Sequence, residues 1–227
     1  NSTVQYSATN SAANVNVAAT TYNSLQLSGA ETYDLAGSLT TTNALTGNLT
    51  IDSGATLDAT ASNYSISLAG NWANSGTYTT RSNTVTFTGN ATSHQTVTTA
   101  GQAFNNFTIN NTQATYDQAI ISGALDVNGT LTITDGNLKL DTNNPTVNIA
   151  GNVSIGSIGT WTKGTGAVTF DGITAATYTD STATKQNIGA VTINKTDTVA
   201  PATNNKLTLA SSMTVDTMTI DGTVGSA

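Results

Sequence analysis

The chain has no cysteine, which excludes a disulfide framework and any thiolate metal site. Charge is almost as scarce: 8% of the 227 residues are Asp, Glu, Lys or Arg, against about a quarter in ordinary globular domains. There is one histidine, His94, one glutamate, Glu31, and one arginine, Arg81. A catalytic centre needs convergent titratable groups, and these three are a thin supply; a polysaccharide-degrading enzyme using a pair of carboxylates ranks third, behind a structural or a binding role. Proline appears twice. No apolar run approaches the roughly 18 residues of a membrane-spanning helix, and no basic segment leads into an apolar stretch as in a secretory leader. The six basic residues stand singly against a formal net charge of −7. Phosphate neutralisation requires clustered Lys and Arg, so nucleic-acid binding is excluded, and insertion of this segment into a membrane is not expected.

What the sequence has instead is Thr, Ser, Asn, Gly and Ala, with Val and Ile set in alternation with Thr, as in "TVTFT" and "LTIT". Alternation of apolar and polar residues marks half-buried strands, and β-branched residues favour them. Disordered chains usually combine high net charge with few β-branched residues, so the low charge here does not signal coil. No window holds a 3.6-residue apolar period, and helices of useful length are not expected.

The chain repeats itself. "NTVTFTG" (83–89) is matched by "GAVTFDG" (166–172) and, in its apolar plan, by "STVQYSA" (2–8), so that Tyr6, Phe87 and Phe170 occupy one repeat position. The correspondence extends to Tyr22, Phe104 and Ile188, and to Leu27, Ile109 and Ile193. "NLTIDSG" (48–54) meets "TLTITDG" (130–136), and "SISLAGNW" (65–72) meets "TVNIAGNV" (146–153). The chain is one continuous array, with large units at about 3–83, 84–166 and 167–227, the last incomplete.

Within each unit, apolar–polar–apolar phrases are centred on Thr50, Ser67, Thr86, Thr108, Thr132, Asn148, Thr169 and Thr192. A short strand recurring every 20 or so positions fits one coil of a solenoid, whose units bury their apolar faces only against one another. We therefore expect an all-β fold, a β-solenoid (parallel β-helix) of about eleven coils. The alternative is a series of tandem β-sandwich domains of about 82 residues, which the 8-to-12-residue turn spacing of some subsidiary strands fits. In the solenoid the repeat-equivalent apolar residues form interior rows. Thr50, Thr86, Thr108, Thr132, Thr169 and Thr192 then form a candidate outward row.

Other side chains have simpler readings. His94 lies in a polar turn with no histidine in the preceding unit, and Glu31 becomes Ala114 in the next. Trp72, Trp161, Tyr78, Phe104 and Phe107 exchange with apolar residues between units, as core positions do. Asp52, Asp135 and Asp221 recur in Gly-containing turns, where Asp accepts local backbone hydrogen bonds. A stack of such carboxylates is a conceivable calcium site, although no dense D-x-D-x-D pattern is present; no other cofactor is suggested. N-x-S/T sequons stand at Asn48, Asn63, Asn90, Asn106, Asn110, Asn128, Asn152 and Asn194, besides Asn1.

The phrases "LAGNWANSGTYTT" (68–80), "NTVTFTGNATSHQTV" (83–97) and "FNNFTINNT" (104–112) resemble those of large bacterial and archaeal surface repeat proteins. These include haemagglutinin-like and autotransporter-like β-solenoid adhesins and surface-layer or fibre proteins. The resemblance implies a secreted, cell-surface location and a non-catalytic structural or adhesive role in a stalk, fibre or surface layer. It also implies partners such as neighbouring repeats, other copies of the chain, surface glycans or other cells. The array begins and ends in mid-unit, so the expectation is a segment of a longer rod that associates through uncapped ends or edges. A solenoid binding ice or polysaccharide through outward Thr rows or aromatics is the alternative.

Overall fold

The computed structural model describes residues 2–9, 13–195 and 206–221; the remainder, including the sequon at Asn1 and parts of the third large unit, lies outside the described residues. The chain is a parallel β-solenoid of about nine turns. Every described strand pair is parallel, whereas a sandwich of short strands is built from antiparallel ones. Among the described residues the only helical element is the 3-10 turn Thr41–Asn43.

Three faces wind in the order first, second, third. The first face begins with Thr3–Ser7, Ser24–Ser28, Leu49–Ile51, Trp72–Asn74, Gln95–Thr98 and Gln118–Ser122. The second carries Val15–Val17, Thr32–Leu35, Thr56–Asp58 and Thr77–Thr79, then resumes with Leu125–Val127, Val147–Ile149, Val168–Phe170, Ala190–Ile193 and Thr217–Ile220. The third carries Ile66–Leu68, Thr84–Phe87 and Asn106–Asn110, and later Ala176–Asp180 and Leu207–Leu209. Two long strands, Leu131–Lys139 and Val153–Thr162, turn the corner from the third face to the first through a register shift near Ile133 and Asp135. Ile66, Val85, Phe107, Leu131, Val153 and Tyr178 are register partners along the third face, so each marks one full turn after the last.

The count of about nine turns corrects the expected eleven coils. The phrase spacing samples different faces at different places: Thr50 is on the first, Thr86, Thr108 and Thr132 on the third, Thr169 and Thr192 on the second. Some intervals between phrases are therefore steps from face to face rather than full turns. The large repeat has the same property. Tyr6 is on the first face, Phe87 on the third and Phe170 on the second. Each large unit advances the chain by roughly three and two-thirds turns and leaves its strands one face back from the preceding copy. At a strand spacing of about 4.8 Å the described rod is roughly 40 Å long.

Alternation decides what goes inside. In Thr84–Phe87, Val85 and Phe87 are buried and Thr84 and Thr86 are only partly so. Phe87, Phe170, Tyr22, Phe104, Ile188, Leu27 and Ile109 are buried, while Tyr6 and Ile193, near the two ends, are partly buried. At mid-rod the aromatics gather: Phe87 lies 4.8 Å from Phe107, and Phe104 lies 5.1 Å from Phe107 and 5.2 Å from Trp72, between ring centroids. At such separations aromatic pairs contribute beyond area burial alone. Trp161 and Tyr78 are buried as well.

The corners use side-chain oxygens of one turn to accept backbone N–H groups of the next. Ser24 accepts from Asn48 at 3.1 Å, Asn48 from Asn71 at 2.8 Å and Asn71 from Thr96 at 2.8 Å. Asn106 accepts from Thr130 at 2.9 Å and Asn152 from Thr177 at 2.8 Å. Such capping answers the requirement that backbone donors be paired where the sheet bends. Gly54 and Gly136, equivalent in the repeat, have φ of +90° and +91°, a region that only glycine enters without strain.

Candidate functional site

The outward positions of the three faces differ in chemistry. The first face runs Gln5, Gln26, Thr50, Ala73, Thr98 and Ser122, with Ile120 and Lys139 beside them. The second carries a stack of Asp34 beside Asp58, and further on Asp126, Asn148, Thr169, Thr192 and Thr219. The third is uniform over six consecutive strands. One column runs Ser67, Thr86, Thr108, Thr132, Ser154 and Thr179, each directly in register with the next. Two residues earlier stands a second column, on the strands at Thr84, Asn106 and Thr177 and immediately before them at Ser65, Thr130 and Asn152. All twelve are Ser, Thr or Asn, and none carries charge.

Of the six threonines expected in one outward row, the structure brings together Thr86, Thr108 and Thr132. Thr169 and Thr192 are neighbours on the second face, and Thr50 stands on the first. Sequence reasoning did not assign Ser67, Ser154 and Thr179 to this row, nor any of the second column. The available signal was the tripeptide with hydroxyl or amide residues flanking an apolar one: "SIS", "TVT", "NFT", "TLT", "NVS" and "TYT". The same pattern occurs at 48–50 and at Thr77–Thr79 on other faces, so the tripeptide alone does not identify the face.

The two columns are engaged differently. In the second, Asn106 Nδ2 donates to Thr84 Oγ1 at 3.4 Å, Ser65 Oγ accepts from the Thr84 amide at 3.2 Å, and Asn106 and Asn152 cap the next turn. The hydroxyls of Ser67, Thr86, Thr108, Thr132, Ser154 and Thr179 have no protein partner among the described residues, and each of these residues is partly exposed.

Charged side chains form small local clusters. Arg81 spans Asp58 with two hydrogen bonds of 2.8 and 2.6 Å, and this holds the Asp58 carboxyl below the usual carboxylate range. Asn14 donates to Asp34 at 3.0 Å. Lys163 pairs with Asp216, which also accepts from Asn187 at 2.9 Å, and Lys139 pairs with Asp141 at 2.6 Å. Lys195 is buried, its Nζ donating to the Ala150 carbonyl at 2.8 Å, and burial pushes its pKa down. Burial first, and then the Asp171 carboxylate, raises the pKa of Asp126.

The scarce titratable residues are not brought together. Glu31 sits between Ser24–Ser28 and Thr32–Leu35, Arg81 between Thr77–Thr79 and Thr84–Phe87, and His94 just before Gln95–Thr98, on three different corners. His94 packs edge-on to Tyr116 at 5.3 Å, and its Nδ1 accepts from the Gln118 amide at 3.4 Å. Asp52, Asp135 and Asp221 close strands of the first, third and second faces respectively, so the rotation of the repeat keeps them out of one stack. Among the described residues no three His, Asp or Glu side chains are grouped to hold a metal ion, and no helix is long and apolar enough to cross a membrane.

No family model, curated protein or solved structure matches the chain.

Proposed function

We propose that this chain is a non-catalytic structural or adhesive segment of an extracellular rod, such as a cell-surface stalk, fibre or surface layer, that associates end to end. The observation that carries the reading is the exposure of interior rows at both ends of the described solenoid. In the strand Thr217–Ile220, Met218 and Ile220 stand in register with Val191 and Ile193 yet are 42% and 63% exposed. At the other end the strand Thr3–Ser7 pairs on one side only among the described residues, and Val4 is 43% exposed. Neither edge strand carries a Lys or Pro, the residues that blunt edges against pairing. Among the described residues these two strands each present an edge beside an apolar row, an arrangement that a further coil would cover, whether from the same chain or from a second copy.

The dispersal of His94, Glu31 and Arg81 over separate corners supports a non-catalytic role. The scarcity of charge and the absence of cysteine fit the surface repeat proteins that the sequence resembles. Sedimentation and electron microscopy of the purified chain over a concentration series test the proposal. The expected result is linear oligomers that disperse on Ile220→Lys. A chain that stays monomeric at high concentration would remove end-to-end assembly, and glycan cleavage by the same material would remove the non-catalytic role.

A further inference from the structure

We infer that the third face is a binding surface for ordered water, an ice-binding plane, made by the two columns headed by Ser65 and Ser67. This goes beyond the rod reading and does not depend on what the ends do.

The first support is geometric. In-register parallel strands put like side chains about 4.8 Å apart across the sheet, and alternate residues roughly 6.6 Å apart along a strand. The third face therefore offers a two-dimensional lattice of side chains, two columns wide and six strands long. Its two repeats are close to oxygen spacings in hexagonal ice.

The second support is chemical. The column Ser67, Thr86, Thr108, Thr132, Ser154, Thr179 keeps its hydroxyls free of protein partners among the described residues, while the column beside it is pinned at Ser65, Thr84, Asn106 and Asn152. Ordered water bridging fixed polar groups costs little entropy when those groups are already immobile. β-Branched Thr is stiff at χ1 and sets a methyl beside each hydroxyl. No charged side chain interrupts the twelve positions on a chain of net charge −7.

The third support comes from the rotation of the repeat. Since each unit shifts its strands by one face, copying one strand does not make a uniform face. The repeat counterparts of Thr86 and Thr108 on the first face are Gln5 and Gln26; that of Ser154 is Ala73, and that of Ser67 on the second face is Asn148. At four repeat positions the hydroxyl stands on the third face where a copy elsewhere carries Gln, Ala or Asn. At the counterparts of Thr132, Thr86 and Thr108 on other faces, Thr50, Thr169 and Thr192 keep the threonine, so the repeat supplies part of the column and the face the rest.

A glycan is the competing occupant. Sugar sites use aromatic platforms with a few precisely placed polar groups, and the aromatics of these strands, Phe87, Phe107 and Tyr178, are all buried inside. The observations favour water.

The test is retention of the chain in slowly grown ice together with inhibition of ice recrystallisation. The intact chain should enter the ice and slow recrystallisation. T108K/T132K should cut retention tenfold or more, whereas T169K/T192K on the second face should leave it unchanged. Circular dichroism and melting establish that each variant is folded, and the smaller change T108V/T132V replaces the Lys pair if that variant does not fold. Exclusion of the intact chain from ice, or equal retention by the third-face and second-face variants, would overturn the inference. Binding to insoluble cellulose or chitin that T108K/T132K abolishes, without ice retention, would overturn it in favour of a polysaccharide.

Discussion

Replacing Phe87 by Ala and Tyr6 by Ala, at one repeat position, should have very different consequences. Phe87 is fully buried, 4.8 Å from Phe107 and 6.3 Å from Phe104 between ring centroids, with a strand on either side. Truncating a buried Phe costs about 3–5 kcal/mol, from lost transfer energy and the cavity left behind, and the lost ring pairs fall within that figure. Tyr6 is only partly buried, on a strand with one described partner; its hydroxyl contacts the Tyr22 hydroxyl at 3.0 Å. The hydroxyl also accepts from the Ala18 amide at 3.2 Å, and loss of the side chain should cost about 2 kcal/mol, combining partial burial and two partly exposed hydrogen bonds. Urea unfolding followed by circular dichroism measures the difference, with hydrogen exchange added because stacked repeats open locally rather than all at once. Phe87→Ala should lower protection in the turns on both sides, and Tyr6→Ala only in the first turns. Equal losses for the two variants, or a Phe87→Ala protein as stable as its parent, would refute the stacking argument and the register on which it rests.

Other perturbations separate local causes. Arg81 depresses the Asp58 carboxyl, so the stability this group contributes is present above the unfolded value of about 3.9 and is lost as pH falls through the lower folded value. Asp58→Asn should therefore flatten the acid limb of a stability-against-pH curve below about pH 4, and an unchanged limb would deny the pairing. Gly136→Ala should cost more than Gly54→Ala. Both force Ala to φ near +90°, at roughly 1–2 kcal/mol. At Gly136, however, the added Cβ runs into the Asp117 carbonyl oxygen at 2.7 Å, whereas at Gly54 its nearest neighbours, the Gly29 oxygen among them, lie at 3.7 Å. Denaturant midpoints rank the two, and the reverse order would contradict the turn geometry. Asn106→Ala leaves the Thr130 amide without its acceptor at 2.9 Å and should cost about 1–2 kcal/mol, with exchange of that amide accelerated; an unchanged exchange rate would mean the cap is not used.

Strand identity was legible in the sequence because alternation is a local property. "TVTF", "NFTIN" and "LTIT" each declare which residues turn inward, and Val85, Phe87, Phe107 and Ile109 are buried accordingly. The parallel solenoid was legible because a repeating sequence implies a repeating environment. The number of turns was not, because turns differ in length even along the third face: the step from Ser65 to Thr84 is shorter than that from Asn152 to Thr177, and corner residues carry no regular spacing. Phe104 illustrates the difficulty: between Gln95–Thr98 and Asn106–Asn110 it meets the second face by a single bridge to Val127 rather than by a strand, so one turn lacks a phrase to count. Nor was the third face legible, since its columns join residues from six different positions in the large unit.

That mismatch between repeat and turn decides which rows exist. Were the large unit a whole number of turns, Tyr6, Phe87 and Phe170 would share a face, and so would Asp52, Asp135 and Asp221. Because it advances by roughly three and two-thirds turns, equivalent residues lie on different faces, and the carboxylates that would have stacked are held on separate corners. The interior tolerates this because each residue meets neighbours from other repeat positions. Phe87 lies between Leu68 and Ile109, and Phe170 between Ile149 and Ile193, so any apolar side chain of similar volume fits the row. The surface has no such latitude, since a row of one chemistry has to be specified strand by strand. A longer array of the same unit tests this directly: Thr208 continues the Ser65 column beside Thr177, whereas Ala210 ends the Ser67 column after Thr179, so if face and not repeat position governs the outward residues, further units should restore Ser, Thr or Asn to both columns wherever their strands extend the third face, at positions where other faces carry Gln, Ala or Asp. Added units whose third-face positions were as mixed as the first face would show the uniform stretch to be a local accident of composition.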